Sequence, residues 1–179
     1  MPLPIEKSLY HHISEGNYYV EEEFDFKITK FELENLKEQL FVDDRNFQMF
    51  DVITKGYFVN FNNKSQILPC EGWKIHISID VLNINKLLNT VGTVIAKDNI
   101  SFKVVWGSKN LARFLDSNFD RVQFGKFITI YPSNSEQFIE IIEKLYENLK
   151  EFKGPDILTD FKYKDSNILF YRYGGILPK

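Results

Sequence analysis

WKIHISID, from Trp73 to Asp80, alternates apolar and polar residues one for one over eight positions. That is a strand pattern. Successive side chains on a strand point to opposite faces, so Trp73, Ile75, Ile77 and Ile79 share one face while Lys74, His76, Ser78 and Asp80 share the other. The second face sets a cation beside a histidine. Taken alone it reads as solvated, because antiparallel sheets commonly show one face to water. The rest of the chain decides whether this face is wet or chemical.

The chain has 179 residues, the size of one domain, and can bury a sizeable core. Its apolar content of 44% with 16% aromatic residues is rich for a globular protein, and its longest apolar runs are too short to span a bilayer. No basic n-region followed by an apolar h-region opens the chain. These features lead us to expect a soluble, cytoplasmic protein with no membrane partner. The single cysteine, Cys70, excludes an internal disulfide and a cysteine zinc cluster, and reads as structural. A formal charge of −3 gives no bulk attraction for nucleic acid, so any anion site must come from a local cluster of cations.

Outward from the opening strand, residues 1–28 show no period and read as an irregular arm. The adjacent His11 and His12 within it read as solvent-facing. Phe31, Leu33, Leu36 and Leu40 predict a helix over Thr29 to Leu40. Residues Met49 to Phe61, broken by Gly56 and closed by Asn62-Asn63-Lys64-Ser65, predict a strand or a bent pair of strands. Asp80 is placed to cap a helix striped by Ile84, Leu87, Leu88, Val91 and Ile95, which ends near Lys97-Asp98-Asn99. Ile100 to Trp106 reads as a strand with Lys103 among apolar neighbours, and a short helix follows through Leu111 and Leu115. Lys126 to Tyr131 is a strand stopped by Pro132, with Lys126, Ile128 and Ile130 expected on one face. Ser133-Asn134-Ser135-Glu136 has the capping-box form at the start of a helix over Phe138 to Leu149. A last strand, Ile168 to Tyr173, sets Phe170 and Arg172 on one face. The mixed order predicts a single α+β domain, a largely antiparallel twisted sheet flanked by helices.

Four of these strands carry cations among apolar residues: Lys74 with His76, Lys103, Lys126 and Arg172. Arg113 and Arg121 are available from a connection. If the faces converge, burying so many charges costs several kcal/mol per ion unless an anion neutralises them. A phosphate dianion is the natural guest. A lysine crowded by cations loses its proton more readily and can act as a base near neutral pH. Cations, a lysine base and a histidine acid suit elimination better than hydrolysis. Hydrolysis calls for a metal, a nucleophile or a water-activating carboxylate, and the chain has no HExxH, P-loop, GxSxG or metal-spaced histidine pair.

Five blocks carry a family resemblance: GWKIHIS (Gly72 to Ser78), FKV (Phe102 to Val104), GKFITIYP (Gly125 to Pro132), GPDILTD (Gly154 to Asp160) and FYRYGG (Phe170 to Gly175). In this order they resemble the N-terminal lyase domain of class III lanthionine synthetases, the LanKC type, over roughly residues 55–177. That domain is similar in turn to the phosphothreonine lyases, bacterial effector enzymes. The resemblance implies a phosphothreonine-lyase-like fold and metal-free β-elimination of phosphate, without a cofactor, from phosphoserine or phosphothreonine. The implied partner is a phosphorylated lanthipeptide precursor of leader plus core, and the product dehydroalanine or dehydrobutyrine. In the family, kinase and cyclase domains follow the lyase, so residues 1–179 are expected to be one lyase domain, excised or stand-alone.

The resemblance also implies roles. Lys103 takes the α-proton as general base, His76 protonates the departing phosphate, and Lys74 stabilises the enolate-like oxygen or the phosphate. Lys126 and Arg172 hold the phosphate, with Arg121 as a further arginine. Gln123-Phe124-Gly125-Lys126 stands where the family has a small, serine-rich segment, so Arg113 remains the alternative to Arg121. No metal ligand is implied. Lys126 and Arg172 have a structural alternative too, as ion-pair partners of Asp156 or Asp160. Tyr131, Tyr171 and Tyr173 read as core aromatics that border the site. Two other functions use the same cations: a phosphopeptide reader without catalysis, and an effector-like lyase acting on a folded kinase.

Overall fold

The structure, a computed structural model, describes residues 33–41, 43–116 and 118–177. In chain order its elements are helix α1 (Leu33–Leu40), the short helix α2 (Asp44–Phe47), strands β1 (Phe50–Lys55), β2 (Phe58–Asn63) and β3 (Glu71–Ser78), and a 3-10 turn (Val81–Asn83). Helix α3 (Ile84–Ile95), β4 (Ser101–Val105), helix α4 (Ser108–Phe114), β5 (Lys126–Tyr131), helix α5 (Ser135–Asn148), β6 (Phe161–Lys162) and β7 (Leu169–Gly175) follow. The expected arm at 1–28, with its two histidines, and residues 29–32 of the expected first helix lie outside the described residues.

The strands form one sheet in the order β1-β2-β4-β5-β3-β7-β6, with every neighbouring pair antiparallel. The α+β reading therefore holds. Helices α1, α3 and α5 cover one face of the sheet. There Trp73 stacks on Phe138 of α5 at 5.0 Å between ring centroids, and Ile75, Ile77, Ile128 and Ile130 are fully buried. The α3 stripe is buried as its spacing predicts. At the other end Phe61 and Phe102 stack at 4.8 Å. Among the described residues no helix is long and apolar enough to cross a membrane.

The opening strand departs from its simplest reading. From Ile75 onward β3 is buried on both faces, with His76 4% exposed and Ser78 fully buried. The polar row of this sheet is therefore not a wet surface.

Several local expectations shift. Met49 to Phe61 is a β1–β2 hairpin, turned at Gly56 with φ +59°, a value that favours glycine. Asp80 precedes the 3-10 turn and makes no cap bond to it; its carboxylate accepts from the Asn83 side chain and from the Lys153 backbone N–H. At α5 the cap lies one residue later than the Ser133 box. The Asn134 side chain accepts from Gln137 N–H at 2.8 Å, while Gln137 Oε1 accepts from Ser133 N–H at 2.7 Å. The two-residue β6 has no sequence signature of its own. The largest correction concerns Lys126. A register shift at Ile77/Ser78 sets Lys126 directly across from Ser78, and directly opposed residues share a face. Lys126 thus joins the His76 row instead of the Ile128 and Ile130 row.

Candidate active site

The site forms on the sheet face opposite α1, α3 and α5, with α4 packed at its edge through Phe114 on Phe58, and strand register assembles it. Lys103 on β4 and His76 on β3 are each paired with Thr129 of β5. Lys74 is paired with Arg172 of β7, and the shift described above adds Lys126. Directly opposed like charges such as Lys74 and Arg172 repel, so this pairing makes sense for a face that receives an anion.

His76 is fixed by the loop before β6. Its Nδ1–H donates to Asp160, whose side chain is fully buried. Asp160 also accepts from Thr159 Oγ1 at 3.0 Å and lies 3.9 Å from Lys126 Nζ. The loop is held against β3 by a close approach at Gly154, where a Cβ would lie 2.4 Å from the Ile79 carbonyl oxygen. Ser78 Oγ donates to Pro155 O at 2.6 Å beside it. With Nδ1 committed to Asp160, Nε2 is the nitrogen left for chemistry.

Burial first, and then the Lys126 and Lys74 charges, hold His76 below the usual imidazole range, although the bond to Asp160 pulls the other way. Burial opposes ionisation of Asp160, but His76 and Lys126 outweigh it and keep the carboxyl below its ordinary range. Among the described residues Lys103 is the most perturbed lysine. Burial and the neighbouring Lys74 and Lys126 push it down to about 8. Its Nζ sits 4.0 Å over the Phe58 ring and 6.0 Å from the Tyr131 centroid. Lys74 and Lys126 are lowered as well, mainly by burial, with Arg172 adding to both and Asp160 opposing. Lys74 Nζ donates to Gly175 O at 2.9 Å, in space left open by the missing side chain of Gly174. The cluster sets Lys74, Lys103, Lys126 and Arg172 against the Asp160 carboxylate, with Asp120 also attracting Lys126, and so holds a net positive field in a partly desolvated place.

The geometry joins Lys74, His76, Lys103, Lys126 and Arg172 on one face. Arg121 is exposed on the turn between α4 and β5, next to Asp120, which attracts Lys126. No hydrogen bond or ion pair ties it to the cluster among the described residues. Arg113 packs 5.8 Å from both the Tyr57 and Phe119 rings. Tyr131 borders Lys103, whereas Tyr171 and Tyr173 pack with Trp73 on the helix side. Asp156 pairs with Lys162 at 3.2 Å, away from the cluster. Asp160 was legible only as an ion-pair partner of Lys126 or Arg172; its hold on His76 is long-range and has no spacing signal. Among the described residues no group of three or more His, Cys, Asp or Glu is placed to hold a metal ion.

Residues 40–179 match the family model described as RamC, N-terminal domain. A probable SapB synthase of Streptomyces coelicolor is 35% identical over 109 residues, covering 60% of this chain. The aligned region is 12% of that relative's length. The phosphothreonine lyase OspF of Shigella flexneri superposes over 93% of this chain and 86% of its own, with TM-score 0.57 and 19% identity. The phosphothreonine lyase effector VirA of Chromobacterium violaceum covers 94% of this chain and 84% of its own, at TM-score 0.52 and 16% identity. The chain therefore belongs to the RamC N-terminal domain family and has the phosphothreonine-lyase fold.

Proposed function

We propose that this chain is a lyase that eliminates phosphate from phosphoserine or phosphothreonine in a peptide. The observation that carries this reading is the shared face of Lys103, lowered to about 8, and the His76–Asp160 pair, among three further cations. Lys126 and Arg172 bind the phosphate dianion through charge-assisted bonds. Lys103 Nζ takes the proton from the substrate's Cα. The released electron pair forms the Cα–Cβ double bond as the Cβ–O bond breaks, and His76 Nε2 gives its proton to the departing phosphate. Lys74 stabilises the negative charge that develops on the substrate carbonyl or the phosphate. The products are a dehydroresidue and inorganic phosphate.

The arriving dianion also prepares the acid. Burial, Lys126 and Lys74 favour the neutral form of His76; a phosphate beside it reverses the local field and favours the imidazolium. Asp160 then faces the positive ring through the bond it already makes.

The likeness to a SapB synthase supports a finer statement, that the peptide is a lanthipeptide precursor. A kinase activity must then supply the phosphoresidue, and thioether formation consumes the dehydroresidue. The test is incubation with a phosphothreonine peptide followed by mass spectrometry. Loss of phosphoric acid, abolished by Lys103→Ala and by His76→Ala in folded protein, supports the lyase. Return of the intact phosphopeptide makes the site a reader.

A further inference from the structure

We propose that Thr129 is a further catalytic residue, whose hydroxyl donates a hydrogen bond to the phosphoryl group of the substrate; the proposal rests on the lyase reading given above. Thr129 occupies a position that no other residue shares. It lies directly opposite Lys103 on one side and directly opposite His76 on the other. Neighbouring strands lie about 4.8 Å apart, so the α-carbons of base and acid are roughly 10 Å apart with Thr129 midway between them. Directly opposed side chains project from the same face. A substrate that presents Cα–H to Lys103 and its leaving oxygen to His76 must therefore cross Thr129.

The side chain is 2% exposed, and its hydroxyl makes no hydrogen bond to any protein group among the described residues. Several other hydroxyls of the molecule are engaged. Ser78 Oγ donates to Pro155 O, Ser101 Oγ accepts from Asn63 N–H, and Thr90 and Thr93 each bond a carbonyl four residues earlier. The Thr129 hydroxyl is not sealed off: among the described residues Trp106 Nε1 is the buried side-chain polar atom left without a partner, so the Thr129 oxygen, though its residue is buried, stays open to whatever fills the site. An accessible donor with no protein partner, set between base and acid, is placed to bond a group that arrives with the substrate. The cations of the site supply charge but few directed donors at its floor. A hydroxyl there reaches the phosphoryl oxygens from below and strengthens as negative charge moves onto them during C–O cleavage.

Thr129→Val removes the hydroxyl at constant shape, and Thr129→Ser keeps the hydroxyl and removes the methyl. With a phosphothreonine peptide we expect kcat/KM to fall about 10- to 100-fold for Thr129→Val and to stay within about threefold of wild type for Thr129→Ser. The melting temperature of Thr129→Val should be equal to or above wild type, because no protein hydrogen bond is lost. A hydroxyl serving only structure predicts the opposite pair of results. Wild-type rates in Thr129→Val, or equal losses in both variants, overturn the proposal. If Thr129→Val fails to fold, Thr129→Ala replaces it in the same comparison. If wild type leaves the phosphopeptide intact, the lyase reading fails by itself. Calorimetric binding of inorganic phosphate then decides for Thr129: weaker binding by Thr129→Val than by Thr129→Ser sustains the contact, and equal binding ends it.

Discussion

At the scale of the residue, Lys103 and His76 must hold protons in the less favoured arrangement. The base is needed neutral, yet it leaves its proton only at about 8. The acid is needed protonated, yet it lies below the usual imidazole range. The productive form, neutral Lys103 with protonated His76, carries one proton, as does the favoured form with the proton on Lys103. Between the two titrations their ratio is constant. Above about pH 8 that single proton is lost, so kcat/KM should show an alkaline limb near pH 8. Lys74 lowers Lys103 by repulsion, so Lys74→Met should move this limb to higher pH. An unmoved limb in the pH–rate profile dissociates it from Lys103. Asp160→Asn keeps the shape beside His76 and removes the charge. It should lower kcat by about 10- to 100-fold, the worth of one charge-assisted bond, with KM changed less. Steady-state kinetics on the phosphopeptide check both parameters. Lys74 and His76 were legible as neighbours on one face because residues two apart on a strand share a face, whereas Lys103 and Arg172 were joined to them by the family resemblance, since alternation within one strand says nothing of the next. Asp160 and Thr129 were not legible, because strand pairing and loop docking bring them into the site from far along the chain.

At the scale of the element, the two most crowded glycines separate stability from activity. Gly92 of α3 lies so close to α1 that a Cβ would stand 2.1 Å from the Leu40 carbonyl oxygen. Gly92→Ala should force those helices apart on the covered face and cost about 1–3 kcal/mol, as overpacking does, read as a lower midpoint in urea. The molecules that remain folded should keep their turnover, since α1 and α3 lie across the sheet from the cations. Gly154→Ala meets the Ile79 carbonyl oxygen at 2.4 Å and displaces the loop that carries Asp160. Its turnover should fall further than its stability implies. Equal turnover in the two variants, measured at a temperature where both are folded, contradicts this division. Elements with strong periodicity, α3, α5, β4 and β5, were readable from sequence alone. Their ends and faces were less so, for reasons visible in two places. Asn134 takes the cap of α5 from Ser133 because Gln137 bonds back to Ser133 N–H. Lys126 changes face because β5 accommodates an irregular pairing at Ser78, and no alternation rule foresees a shift set by the partner strand.

At the scale of the whole molecule, a chain with net charge −3 concentrates four cations on one patch of sheet. Their mutual repulsion is a local source of instability. Lys74, Lys103 and Lys126 are all lowered by burial, so the unfolded chain binds protons that the folded chain has given up. For Lys103 this holds between about 8 and its ordinary 10.5, and stability should rise with pH across that window through this lysine. An anion bound at neutral pH removes the same repulsion more directly. Ligand that binds only the folded state stabilises it by about 2.7 kcal/mol at a hundredfold excess over Kd. For a chain of this size that corresponds to several degrees in melting temperature. Inorganic phosphate should therefore raise Tm, and sodium chloride of equal ionic strength should raise it far less, because screening alone does not fill the site. Lys126→Met should have a higher Tm than wild type without phosphate if relief of repulsion outweighs its lost contact with Asp160, and Arg172→Met tests the same relief without an Asp160 contact to lose. In both variants the increment from phosphate should shrink by more than half. A thermal-shift series over phosphate concentration, run on the three proteins in parallel, measures it. Equal increments in all three would place the anion elsewhere and detach the cation cluster from phosphate binding.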